Sequence, residues 1–549
     1  MIKSVGFFLL SFLCVGFGQP AWIPFAGPLA ASLGYALFWV SLDQVVVLRR
    51  RFWIAALWFF LVQLVQISWM ASTKYQGLYI VAVYLLLSIV LGLQFGWITK
   101  FVFFCPTLSL RSVFAIAAFA TLSEWLRLFF FCGFTFNFAG MALACYVPSM
   151  QLASIFGVFG LSYLVFFSNA LFLKAYRGSG GRGWWVWMSI ALFPYCFGLV
   201  SLGFSNKKNE GLSSLNALLI QPGLSPSQKT PLRNFLHDFI PLNTQWRDLF
   251  LLASSYRLRD VDLVVFPESV VFAGFDSCIY PLPHVLDQLN AFGVDIERAL
   301  PTLSAPYGKK ISGNWFVSNA FWCQVLANHL ESQVIAGFDQ TDKGSGKHYN
   351  AAFYFTPYSE KISRYEKQIL LPLAETLPWS FLKNITKRYG ITEFFTPGSF
   401  SKLLGKDLQA GVSICIEETF PSIMRDARRR GARFFVNLTN DGWYPNTNLP
   451  MQHCSHSKIR AVENGVYLLR ACNTGVTCFI DHKGRVLSQL PAQSWTGSPE
   501  KGALFQRVVL EVENTLYTYW GDVVIVGFCV VSLLIFLIGL GYRALFHIL

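Results

Sequence analysis

Charge is what this chain of 549 residues has least of: Asp, Glu, Lys and Arg together make up 13% of it, against 54% hydrophobic residues and 17% aromatics. Ordinary soluble proteins are roughly 25% charged, so the balance excludes that class and makes a membrane protein the default. The twelve cysteines include no Cys-x-x-Cys pair, and the six in the polar part, at 278, 323, 415, 454, 472 and 478, are scattered, so neither a zinc ribbon nor a disulfide framework is indicated. Internal repeats and low-complexity tracts are lacking too. Acid is scarcest outside the centre: residues 215 to 515 hold 30 basic and 26 acidic side chains, the remainder 14 basic and only 4 acidic. A nucleic-acid reader would concentrate its surplus on a soluble face, whereas this surplus lies where an anionic leaflet would hold it, and no nucleic-acid partner is expected. His453 and His456 lack a carboxylate or third ligand at metal-site spacing, so no metal or other cofactor is expected.

Long apolar runs, by contrast, are plentiful. They fall near residues 4 to 18, 22 to 42, 53 to 72, 77 to 99, 112 to 132, 149 to 173, 184 to 204 and 522 to 541, several reaching the ~20 residues that a spanning helix needs. The reading is a polytopic α-helical membrane domain of about eight transmembrane helices, seven in 1–205 and one in 520–549. Lys3 and the small-x-small site Gly16-Phe17-Gly18 give the first run some look of a signal peptide, but Trp22 to Leu42 follows at once as a second hairpin arm, which favours a retained helix. Basic residues gather at Arg49-Arg50-Arg51, at Lys100 and Arg111, at Lys174, Arg177 and Arg182, and at Arg543, while the alternate connections carry only Lys74. The positive-inside rule then places both termini in the cytoplasm and the large polar block outside.

That block, 215–513, changes texture to short β-rich runs, with strands predicted at Asn216 to Gln221, Asp262 to Phe266, Val334 to Phe338, Asn350 to Thr356, Ala410 to Ile414, Phe434 to Leu438, Tyr467 to Ala471 and Thr477 to Asp481. Runs as continuously apolar as Leu263-Val264-Val265-Phe266 suit a sheet buried on both faces, which predicts one α/β domain with helices covering it. The segment from about Asp276 to Leu330 fits this rhythm poorly and reads as an insertion or irregular arm. Ser205 to Ser214 and Asn514 to Gly521 read as linkers.

Two polar side chains stand out because they follow apolar strands, and a third gains meaning only beside them. Cys415, after Ala410 to Ile414 and before the predicted helix start at Glu417, would sit on a strand-to-helix turn, where nucleophiles are displayed. An inert buried cysteine is the bland alternative for such a residue alone. Glu268 lies just beyond another buried strand, with Pro267 fixing the turn that aims it. A carboxylate there is expensive unless paired or functional, and a thiol needs a nearby general base. Lys367, by itself an ordinary surface charge, would beside a thiolate stabilise an oxyanion, and Glu375 would either hold it or be a plain loop carboxylate. Glu124 and Arg127, in the fifth apolar run, line a cavity or pair with each other.

Phe266-Pro267-Glu268-Ser269, Tyr365-Glu366-Lys367 and Val412-Ser413-Ile414-Cys415-Ile416-Glu417-Glu418, in that order, resemble the Glu, Lys, Cys words of the nitrilase, or carbon-nitrogen hydrolase, superfamily. With spans before and after the block, the full length resembles its membrane-embedded branch, the apolipoprotein N-acyltransferase family. Asn440-Asp441-Gly442-Trp443, the words Arg460 to Gly465 and Arg470 to Val476, and Gln151 to Ser162 in the sixth span add to the likeness. The resemblance implies an α-β-β-α sandwich facing the periplasm, a functional glutamate at Glu417 and a tryptophan near the thiol at Trp443. It implies ping-pong acyl transfer in the bacterial inner membrane, from a phospholipid through a thioester on Cys415 to the S-diacylglyceryl cysteine of an apolipoprotein, by a monomer. Two positions depart from the pattern: Ile416, where the family commonly has Tyr, and Thr230, where relatives place a Trp. Pro372-Leu373, Leu377 to Leu382 and Phe394-Phe395 are candidate apolar arms over the site, with core packing as the alternative. The rival functions are a membrane-tethered amidase with the same triad and water as acceptor, and a non-enzymatic scaffold.

Overall fold

The computed structural model describes residues 2–105, 108–130, 133–178, 180–204, 213–377, 394–491, 500–510 and 513–546. Two compact units emerge: Met1–Lys208 with Thr447–Gly465 and Asn514–Leu549, and Asn209–Asn446 with Val466–Glu513. The helix Leu449–Asn464, inside the stretch 215–513, thus groups with the helical unit.

Among the described residues of the helical unit, five helices are long and apolar enough to cross a membrane: Tyr79–Phe104, Leu110–Phe129, Ala153–Arg177, Gly181–Phe204 and Val523–Leu540. Two shorter apolar helices, Lys3–Phe17 and Ala26–Ser41, accompany them, and Leu48–Gln66 opens on the three arginines at 49 to 51. Ala153–Arg177 is broken at Gly157 (φ 66°, ψ −174°), where a Cβ would lie 2.3 Å from the Tyr517 ring. Only glycine adopts that backbone and admits that ring. The break frees the Val158 N–H, which would be costly unpaired, and Glu463 of Leu449–Asn464 accepts from it at 2.8 Å. Glu463 also pairs with Arg460 (3.1 Å), and His453 and His456 pack their rings against Phe136. Of the two roles open to Glu124 and Arg127, the structure shows the pair, at 3.2 Å and buried.

The second unit is two six-stranded sheets face to face. One runs in the order Gly502–Val509, Ser214–Gln221, Leu263–Val265, Gln333–Thr341, His348–Phe355, Ser363–Glu366. The other runs Val486–Leu490, Thr477–Ile480, Leu468–Cys472, Phe434–Thr439, Ala410–Ile414, Leu403–Leu404. In each, three adjacent strands are parallel: Ser214–Gln221, Leu263–Val265 and Gln333–Thr341, and Ala410–Ile414, Phe434–Thr439 and Leu468–Cys472. Period-2 alternation explains the double burial. Ala217, Leu219, Leu263 and Val265 meet Val412, Ile414, Val436 and Leu438 between the sheets, while Leu218, Ile220, Val264 and Phe266 meet Trp246, Phe250 and Trp322 of the covering helices Leu242–Ser254 and Asn319–Leu330. Each buried aliphatic side chain contributes about 2 kcal/mol. On the outer face of the other sheet, Pro421–Arg429 buries Met424 and Ala427, which completes an α-β-β-α stack within the unit.

All eight predicted strands are present. The segment 276 to 330 departs from the expectation of an irregular arm. It holds a small sheet of Tyr280–Pro281, Gly308–Ile311 and Asn314–Val317, and it ends in Asn319–Leu330, whose residues are buried all round in the core. A helix buried on every side, its polar Asn319, Gln324, Asn328 and His329 included, carries no amphipathic period to announce it.

Candidate active site

The polar side chains singled out above follow strand ends of this sandwich, where open α/β sheets bind ligands. Glu268 lies three residues past Leu263–Val265, on a turn set by Pro267 and by Ser269 in the left-handed region (φ 43°). Lys367 directly follows Ser363–Glu366, and its N–H stays in the ladder by donating to the Asn350 carbonyl at 2.9 Å. Cys415 directly follows Ala410–Ile414 and is itself left-handed (φ 53°), entering the 3-10 turn Cys415–Thr419 ahead of the helix Pro421–Arg429. For a residue with a Cβ that conformation is costly, and it turns the half-buried thiol sharply off the strand.

Lys367, 1% exposed, is held by two carboxylates: its Nζ is 2.7 Å from Glu375 Oε1 and 3.2 Å from Glu268 Oε1. Asn350 Nδ2 donates to both acids, at 2.8 Å to Glu268 and 3.2 Å to Glu375. Glu375 is more than a loop carboxylate. Its Oε2 accepts from Leu371 N (2.8 Å) and its carbonyl from Phe395 N (2.9 Å), so the two described candidate arms, Pro372-Leu373 and Phe394-Phe395, both tie back to it. Of the third candidate arm, Pro378 to Leu382 lie outside the described residues.

Glu417 joins the two halves. One oxygen accepts Gln368 N (2.6 Å) and Ile369 N (3.1 Å), just past Lys367, and the other accepts Ile414 N (2.7 Å) and the Tyr365 hydroxyl (2.9 Å). The turns bearing Lys367 and Cys415 are therefore clamped by one side chain. Asn437 Nδ2 adds a bond to the Cys415 carbonyl at 3.2 Å.

Electrostatics make the resting thiol neutral. Burial pushes the Cys415 pKa up and the Glu268 carboxylate adds to it, while Lys367 pulls the other way. Burial works against the Lys367 ammonium, yet Glu268 and Glu375 outweigh it and hold its pKa well above the usual value. Burial pushes Glu417 up to about 7 against its backbone N–H donors and Lys367. The arrangement therefore offers a neutral thiol, a carboxylate to take its proton, and a fixed cation.

Residues 7–171 match the apolipoprotein N-acyltransferase N-terminal domain, and residues 236–497 match carbon-nitrogen hydrolase. The apolipoprotein N-acyltransferase of Chlamydia caviae is 30% identical over 98% of this chain and 99% of its own length. The chain belongs to the apolipoprotein N-acyltransferase family. That of Chlamydia trachomatis serovar D is 30% identical over 95% of this chain and 94% of its own, and that of Geobacter metallireducens 27% over 73% and 69%. A solved carbon-nitrogen hydrolase from Helicobacter pylori aligns with 56% of this chain and 94% of its own at 17% identity and a TM-score of 0.36.

Of the two positions that depart from the apolipoprotein N-acyltransferase pattern, Ile416 is half-buried on the Cys415 turn and Thr230 is the C-cap of the short helix Pro226–Lys229. Trp443 is 37% exposed on the turn Asp441–Trp443, after the strand that pairs with Ala410–Ile414 in register Ile414 to Leu438. Asn350, Tyr365 and Lys229 were not singled out from the sequence. Their partners lie on other strands and turns, and only Asn350, inside the run Tyr349 to Phe355, carried a signal, a polar residue in an apolar run.

Proposed function

We propose that this chain is a phospholipid to apolipoprotein N-acyltransferase working by a thioester, with Cys415 as nucleophile, Glu268 as general base and Lys367 as oxyanion donor. The observation that carries the reading is a left-handed Cys415 at the end of a parallel strand, its thiol in the fields of Glu268 and of a Lys367 held by two carboxylates.

Glu268 takes the thiol proton, and the sulfur attacks the ester carbon of a phospholipid acyl chain, placing negative charge on the carbonyl oxygen within reach of Lys367. The C–S bond forms, the C–O bond to glycerol breaks, and the proton on Glu268 leaves with the glycerol oxygen as a lysophospholipid. The α-amine of an S-diacylglyceryl cysteine then attacks the thioester. Its C–N bond forms as the C–S bond breaks, and Glu268 passes the amine proton back to the sulfur. Glu375 fixes Lys367, Glu417 fixes both turns, and Trp443 lines the acyl side. The helical segments 1–205 and 520–549 anchor the protein in the bacterial inner membrane, and 215–513 works on the periplasmic side as a monomer, so both lipid substrates arrive by lateral diffusion.

Intact-mass measurement after incubation with labelled phospholipid tests this. An acyl adduct is expected on the wild-type protein, absent from Cys415→Ala and transferred to a diacylated lipopeptide. Ammonia release from a small amide with no lipid labelling would replace this reading with the amidase one.

A further inference from the structure

One more buried cation stands at this site, and the steps above make no use of it. Lys229 ends the one-turn helix Pro226–Lys229, which a capping box fixes: Ser225 N donates to Gln228 Oε1 (3.0 Å) and Gln228 N to Ser225 Oγ (3.3 Å). Gln245 Nε2 donates to the Lys229 carbonyl (3.1 Å) and to that of Ile240 (2.8 Å), so the backbone beneath the side chain is held. The side chain is 4% exposed, and its Nζ donates to the main-chain carbonyl of Glu268 at 3.1 Å. A lysine that only filled space there would lose to methionine, because burying an ammonium is costly unless its charge is used.

The carbonyl it holds belongs to the peptide that leads into the left-handed Ser269. Glu268 lies between Pro267 and the left-handed Ser269, and Gly337 packs so close that a Cβ there would sit 2.8 Å from the Glu268 Cα. Ser269 Oγ donates to Asp339 Oδ1 at 3.1 Å, and Val270 N donates to the Gly337 carbonyl at 2.9 Å. The charged and titratable groups facing Lys229 are Glu268, Asp339 and Cys472, and Glu268 is faced in turn by Lys229, Lys367, Asp339 and Cys415. With Glu375 on the far side of Lys367, three carboxylates face two ammonium groups, and Asp339 also faces His348.

We propose that Lys229 is a positioning residue for the general base: its ammonium holds the Glu268 peptide in the turn that aims the carboxylate. This rests on Glu268 acting as the base. Burial lowers the Lys229 pKa to about 8 against the pull of Glu268, so the group is charged at neutral pH.

The test is single-turnover acylation of full-length protein by a labelled glycerophospholipid in detergent micelles, followed against phospholipid concentration, with Tm alongside. Lys229→Met is expected to slow thioester formation about a hundredfold, as a misaimed base does. The loss should fall on the rate at saturating phospholipid, with the half-saturating concentration unchanged. Lys229→Gln, which keeps a donor to the Glu268 carbonyl, should recover part of the rate, and it serves alone if the methionine variant does not fold. A wild-type saturating rate in the folded variants, or a loss confined to the half-saturating concentration, overturns the proposal. Acylation persisting in Cys415→Ala would instead overturn the reading of the thiol, and a Glu268→Gln variant that keeps the wild-type rate would overturn that of the base.

Discussion

Two buried ion networks among the described residues of the sandwich differ in kind. Around Glu268, Lys367 and Glu375 the cation is a lysine, the carboxylate side chains keep 10% and 15% of their exposure, and a half-buried thiol completes the group. Around Glu418, Arg470 and Asp441 the cation is an arginine, fully buried, reaching Glu418 at 2.9 Å, Asp441 at 3.2 Å and the Val476 carbonyl at 2.8 Å. A planar guanidinium locks three acceptors in fixed directions, which serves architecture. An ammonium is a compact charge whose three donors can turn to a new oxygen, which serves a reaction in which an anion comes and goes. The two cysteines show the same division: Cys472, fully buried among its bonds, donates to the Thr474 carbonyl at 2.9 Å, while Cys415 is turned off its strand by its backbone.

Breaking the arginine network should have the larger effect on the fold. Arg470→Met strands two buried carboxylates and is expected to cost about 3–5 kcal/mol, read as a large loss of Tm with any loss of activity following it. Lys367→Met should invert the pattern, slowing thioester formation about 10²–10³-fold while Tm falls less than in Arg470→Met, because Glu268 and Glu375 retain contact with water. Equal losses of Tm in the two variants would erase the distinction.

The smallest effect sharpens the comparison through pH. Glu417 has its folded pKa raised from 4.5 to about 7, so the native state binds its proton more tightly than the unfolded chain does. The native state then binds more protons in that window, and this contribution to stability, full at low pH, is lost as pH rises from about 4.5 to 7. Glu417→Gln cannot titrate and should flatten that part of the Tm against pH curve. A curve of unchanged slope would mean that Glu417 is ionised throughout.

The central strands were legible because burial on both faces writes an uninterrupted apolar run, as in Leu263-Val264-Val265-Phe266. Ser363–Glu366, at a sheet edge and half polar, and Gly502–Val509 offered no such run, and their strand state comes from pairing with distant partners. The site divides likewise. Glu268 and Cys415 were visible as polar residues after apolar strands, and Lys367 only through the likeness of the three words to a known set. Lys229 and Asn350 act on Glu268 from 39 and 82 residues away, and only the folded chain brings them there. Leu449–Asn464 was invisible as a member of the helical unit because two of its three charges, Arg460 and Glu463, are buried as a pair rather than exposed.

The break at Gly157 also sets a length. From Val158 to Arg177 the straight remainder is 20 residues, which at the α-helical rise measures about 30 Å, the thickness of a bilayer's hydrocarbon core. One glycine thus divides what the sequence writes as a single apolar run into a piece long enough to cross a bilayer and a shorter piece that does not have to.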